Sequence, residues 1–141
     1  MDNIFVKWEE RYAVGIHIID EQHKQLINLT NSLYMACRQG KTFAREQFEK
    51  ALRATVDYVA FHFSTEEQIM TRVNYPEYPA HKREHEGFVK KILEDRKNFE
   101  DGKDFIPNGF THFLHDWILS HIAVSDRTFV AYIQRLKRKE L

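Results

Sequence analysis

Apolar positions recur at steps of three and four along four stretches of the chain. His23, Leu26, Thr30, Leu33 and Cys37 make one stripe, and Phe48, Leu52, Thr55, Val59, His62, Glu66 and Ile69 make a second. Tyr78, His81, His85, Phe88, Ile92 and Phe99 make a third; Phe110, Leu114, Trp117, His121, Ser125 and Phe129 make a fourth. This is the period of an amphipathic helix, and β alternation is sustained nowhere. Turn formers separate the stretches: Gln39-Gly40-Lys41, then Asn74-Tyr75-Pro76 with Pro79, then Asp101-Gly102-Lys103 followed by Pro107-Asn108-Gly109. The pattern predicts an all-α fold, an up-down-up-down antiparallel four-helix bundle. A single domain is expected over residues 1–141, with an N-terminal arm over 1–19 and the bundle over 20–141. Asp20 is expected to cap the first helix by accepting the backbone N–H of His23.

The stripes carry something an ordinary core avoids. His and Glu stand in register with Leu, Phe and Trp, and a buried polar group without a partner costs several kcal/mol, about 2–7. His62 and Glu66 are four apart and face one way, as do His81 and His85. His121 and Asp126 are five apart, which on a regular α-helix rotates the carboxylate about 140° away; it must then reach sideways. His23 is the one donor from the first helix. Measured from the end marked by Gly40 and Gly102, at about 1.5 Å per residue, all four sets fall between roughly 20 and 35 Å. Nothing in periodicity alone demands that agreement. Five imidazoles and two carboxylates exceed what one ion ordinarily takes, and suit two bridged transition metals. Imidazole nitrogen suits Fe, Zn, Cu or Ni, while carboxylates shift the choice toward Fe or Mn. Cys37 lies about 21 Å along its helix from His23 and adds no thiolate.

These residues resemble a known family. His23, His62-x-x-x-Glu66, His81-x-x-x-His85 and His121-x-x-x-x-Asp126 match the hemerythrin signature in order and spacing. The stretches Asp20-Glu21-Gln22-His23 and Trp117 to Ile122, the arm with Trp8 and Gly15-Ile16, and the loop Asn74-Tyr75-Pro76 are similar to bacterial hemerythrins. The resemblance implies two non-haem Fe ions, bridged by carboxylates and an oxo or hydroxo group, that bind O2 reversibly. His81, His85 and His121 would hold one iron and His23 and His62 the other, with Glu66 and Asp126 bridging. The second iron then has one position open to O2. The function expected is that of a carrier, store or supplier of O2, not an enzyme. A sensor acting through a separate partner, or a di-iron peroxidase or NO-handling protein, is the alternative. Leu26, Phe63, Trp117, Ile118 and Leu119, one to four positions from ligands, are expected to line the O2 pocket.

Composition narrows the partners. Lys plus Arg and Asp plus Glu are 21 each, so the formal net charge is zero, which argues against broad binding of nucleic acid. No apolar run approaches the roughly 20 residues of a membrane span. The charged start, Met1 to Glu10, does not read as a signal peptide. One cysteine excludes an internal disulfide and fits a reducing, cytoplasmic setting. His17, ahead of the first helix, and His112 and His115, on other faces of the fourth, are expected to be surface or hydrogen-bonding residues. Thr65 is read as surface, and the tail Arg135, Lys137, Arg138, Lys139 as a solvated helix end.

Overall fold

The computed structural model describes residues 7–37, 45–102 and 107–139. A short 3-10 turn, Glu10–Tyr12, leads into α1 (His17–Cys37), α2 (Arg45–Arg72) and α3 (Tyr78–Glu100). The fourth rod is α4 (Pro107–His121), a π-helical turn (Ile122–Asp126) and α5 (Arg127–Lys139). There is no strand among the described residues, and the rods form the expected four-helix bundle. α1 packs against α2 and α4, and α2 against α3. The loop expected at Gln39-Gly40-Lys41 lies outside the described residues.

The first helix begins three residues earlier than the pattern suggests, so His17 lies on α1 and not ahead of it. Asp20 is therefore inside the first turn. Its carboxylate does not cap His23; it reaches back and accepts the N–H groups of Val14 (2.8 Å) and Gly15 (3.1 Å). This ties the incoming arm to the helix start, where a carboxylate is also favoured by the helix dipole. Gly15 has φ +96°, a left-handed conformation that favours glycine; a Cβ there would stand 3.3 Å from the end of the Gln134 side chain of α5, a tight contact that this flexible side chain can relieve. At the other connections Pro79 sits in the first turn of α3, where its missing N–H is harmless, and Asn74 (φ 53°) turns the chain out of α2.

The core forms two apolar clusters with a polar layer between them. One holds Leu26, Leu33, Phe48, Leu52, Val59, Phe63, Phe88, Ile92, Leu114 and Ile118 among others. The second gathers Val14, Ile19, Met70, Tyr75, Phe129, Val130 and Ile133. His23, His62, Glu66, His81, His85, His121 and Asp126 are all buried along the same rods, where the first cluster gives way to the second.

Candidate metal centre

Each rod delivers its donors by ordinary helix geometry except the fourth. His62 and Glu66 lie one turn apart on α2, and His81 and His85 one turn apart on α3. After His121, however, the inward stripe does not fall on Ser125, as a step of four predicts. Ser125 is half-buried, and the next inward polar residue is Asp126. The π turn causes this. Its hydrogen bonds run from i to i+5, so residues five apart return to one face. The sideways reach expected of Asp126 is unnecessary; the backbone makes the rotation instead.

The donor atoms converge. His81 Nε2 and His85 Nε2 stand 3.1 and 3.0 Å from His121 Nε2. His62 Nε2 is 2.5 Å from Glu66 Oε1, and His23 Nε2 is 2.9 Å from Asp126 Oδ2. The carboxylates straddle the centre. Glu66 turns Oε1 to His62 and His23 and Oε2 to His81 (3.4 Å). Asp126 turns Oδ2 to His23 and Oδ1 to His81 (3.2 Å) and His121 (3.1 Å). Two overlapping groups result among the described residues: Glu66, His81, His85, His121 and Asp126, and His23, His62, Glu66 and Asp126. Within each, the donor atoms lie within 4.8 Å of one another.

The electrostatics show what such a cluster lacks. All four carboxylate oxygens of Glu66 and Asp126, with His23 Nε2 and His62 Nε2, are buried without an aligned hydrogen bond. Two buried anions side by side are expensive unless cations stand among them. In the metal-free protein the imidazoles supply that charge. Burial works to lower the His23 and His81 pKa values, but contact with Asp126 and Glu66 outweighs it and raises both to about 9. Burial and the Asp126 charge work to raise Glu66, yet His62 and His23 hold it down, to about 2. Asp126 is likewise held well below the usual carboxylate range: burial opposes this, and His121, His23 and His81 prevail. His85 falls to about 3, because burial disfavours its charged form. A metal would replace bound protons at the point where the bare nitrogens and carboxylate oxygens meet, so the donor set fits one.

Oriented imidazoles are backed from outside. His62 Nδ1 donates to Gln22 Oε1 (2.6 Å), His85 Nδ1 to Glu67 Oε2 (2.9 Å) and His121 Nδ1 to Glu84 Oε2 (3.1 Å). Phe63 stacks on His85 with ring centres 3.7 Å apart, and Trp117 stacks on His121 at 4.6 Å.

A narrow cavity of about 10 Å3 adjoins the cluster, at the lower limit of what one water molecule needs. Leu26, Phe63, Trp117 and Ile118 line it, together with Val59, Phe88 and Ile122. Leu119 does not. It follows Ile118 by about 100° on the helix, which carries it out of the wall, and it is only half-buried.

Known proteins resemble this chain over most of its length. The profile of the hemerythrin HHE cation binding domain matches residues 14–133. The chain belongs to the hemerythrin family. It is 32% identical to the bacteriohemerythrin of Stenotrophomonas maltophilia over 127 residues, 90% of this chain and 80% of that protein. It is 30% identical to the bacteriohemerythrin of Methylococcus capsulatus, over 84% of this chain and 88% of that one. A solved wild-type hemerythrin superposes with a TM-score of 0.84 at 29% identity, covering 90% of this chain and 96% of the other. This hemerythrin has no helix, among its described residues, long and apolar enough to cross a membrane.

Residues without donor chemistry were missed in the sequence. Gln22 and Thr65 look like surface polar residues, yet Gln22 is buried and the two are joined by a hydrogen bond of 3.3 Å. Only their helix phase, beside His23 and Glu66, could have suggested it. Cys37, the last residue of the first stripe, is half-buried against the first apolar cluster, with its sulfur 3.7 Å from Thr111 Oγ1. His115 pairs with Asp116 (2.8 Å), in keeping with a hydrogen-bonding role outside the centre.

Proposed function

We propose that this hemerythrin binds O2 reversibly at a non-haem di-iron centre, as a carrier, store or supplier of O2 and not as an enzyme. His81, His85 and His121 would hold one iron and His23 and His62 the other, with Glu66 and Asp126 shared. The observation that carries this reading is the split of each carboxylate, one oxygen turned to each histidine group. When bound, a pair of ferrous ions supplies two electrons and an open coordination position for O2.

The chain's own residues do the rest. Three nitrogens would serve one ion and two the other, which would leave the side of His23 and His62 short of a protein donor. The cavity bounded by Leu26, Val59, Phe63, Trp117 and Ile118 touches both His23 and His62 on that side, and only His121 of the other three histidines. Its walls are apolar, so they admit a small uncharged molecule and give water and ionic reductants nothing to bind. Five neutral imidazoles against two carboxylates make the set poor in anionic donors, which disfavours the highly oxidised iron that attacks substrates. Glu66 and Asp126 balance the charge of the ions inside a dry site.

The test is iron quantification under anaerobic conditions, followed by optical spectra as O2 is added and removed. Two irons per chain and a visible change that reverses when O2 is removed are expected. One iron or none, irreversible bleaching, or steady consumption of peroxide or NO would overturn the reading.

A further inference from the structure

The acceptors behind the histidines are unequal, and the inequality follows the division into two groups. Behind the group of three, His85 donates to the carboxylate of Glu67 and His121 to the carboxylate of Glu84. Behind the group of two, His62 donates to the neutral amide of Gln22, and His23 Nδ1 has no hydrogen-bond partner among the described residues.

The amide is fixed in its sense by a chain of hydrogen bonds. Thr65 Oγ1 donates its hydrogen to the carbonyl of Phe61 (3.1 Å). Its lone pairs are therefore the partners open to Gln22, so Gln22 presents Nε2 to Thr65 (3.3 Å) and Oε1 to His62. The His62 Nδ1 must carry a hydrogen, so Nε2 is the nitrogen turned to the centre. Glu84 is held in a similar way, since Ser125, within the π turn, also donates to its Oε2 (2.7 Å). Glu67 is only 22% exposed, so its charge is poorly screened from His85.

A carboxylate behind an imidazole strengthens it as a donor more than an amide does. We infer that Glu67, Glu84 and Gln22 are positioning residues that make the two metal positions electronically unequal. The position held by His81, His85 and His121 is the one biased toward the higher metal charge. The position held by His23 and His62, beside the apolar cavity, is kept as the weaker-donor site. This rests on the di-iron reading above. The same residues also set imidazole orientation, but orientation alone does not depend on whether the acceptor is charged.

Charge-only substitutions separate the two roles. Glu67→Gln keeps an acceptor oxygen and removes the charge; Gln22→Glu adds a charge where an amide stood. Iron-loaded wild type and both variants are titrated reductively, one electron per iron, with iron content measured throughout. Glu67→Gln is expected to move one reduction step to more positive potential. Gln22→Glu is expected to move the other step to more negative potential. Glu67→Ala, which removes the acceptor, is expected to weaken metal binding about 10- to 100-fold. Nitrogen NMR of the metal-free protein gives a second readout, with the His62 hydrogen on Nδ1 in wild type and lost from that site in Gln22→Leu. Variants that keep two irons with unmoved potentials overturn the inference and leave the di-iron reading standing. Both steps shifting together in each variant also overturn it. A wild type that takes up no iron overturns the di-iron reading, and the inference with it.

Discussion

Glu66 stands where two histidine groups meet, so its loss acts on both. In Glu66→Ala the shared carboxylate disappears, and cations would be left beside imidazoles with one anion fewer in a buried site. Both irons are expected to be lost, as metal content per chain will report; a variant retaining two would contradict the bridging role. Ile118 carries a different prediction. Because it lines the cavity and Leu119 does not, Ile118→Asn should speed autoxidation while Leu119→Asn leaves the rate near wild type. Equal rates in both variants would remove the wall from the account. The difference between these neighbours shows how finely residues can be read from sequence. The convergence of seven metal-capable side chains was legible because their types are rare on inward stripes and their spacings are local. The wall was legible only to within one residue, and on a helix one residue is about 100°. Gln22 and Thr65 were not legible at all, since a buried amide and an exposed one have the same letter.

The elements are where regular periodicity succeeds and then fails. Stripes on α1, α2 and α3 follow steps of three and four, and the donors fall on them. On the fourth rod the rule holds to His121 and then places Ser125 where Asp126 is found. A π turn adds one residue to a helical repeat, and no hydrophobic period announces it. It also sets the phase of α5, which buries Phe129, Val130 and Ile133 against Met70 and Tyr75. Inserting one alanine between Val124 and Ser125 should rotate Asp126 and all of α5 by about 100°. Metal content and melting temperature are then expected to fall together, while helical circular dichroism changes little. Retention of both iron and stability would show that the phase of this rod is not what places Asp126.

At the scale of the whole molecule, metal and protons compete for one buried site. His23 and His81 have folded pKa values raised to about 9, so in the metal-free protein each contributes stability that is full below about 6.5 and lost as pH rises through 9. Metal entry expels those protons, so its advantage grows over the same interval. The gap in melting temperature between iron-loaded and chelator-stripped protein is therefore expected to be wider at pH 9 than at pH 7. A gap that narrows would mean that other groups hold the protons. The account as a whole depends on two ions sharing two carboxylates inside the four-helix frame, and crystals of the loaded protein measured at the iron absorption edge test that most directly. It predicts two anomalous peaks per chain, one among His81, His85 and His121 and one beside His23 and His62, with Glu66 and Asp126 between them. A single peak, or peaks away from the two carboxylates, would contradict it.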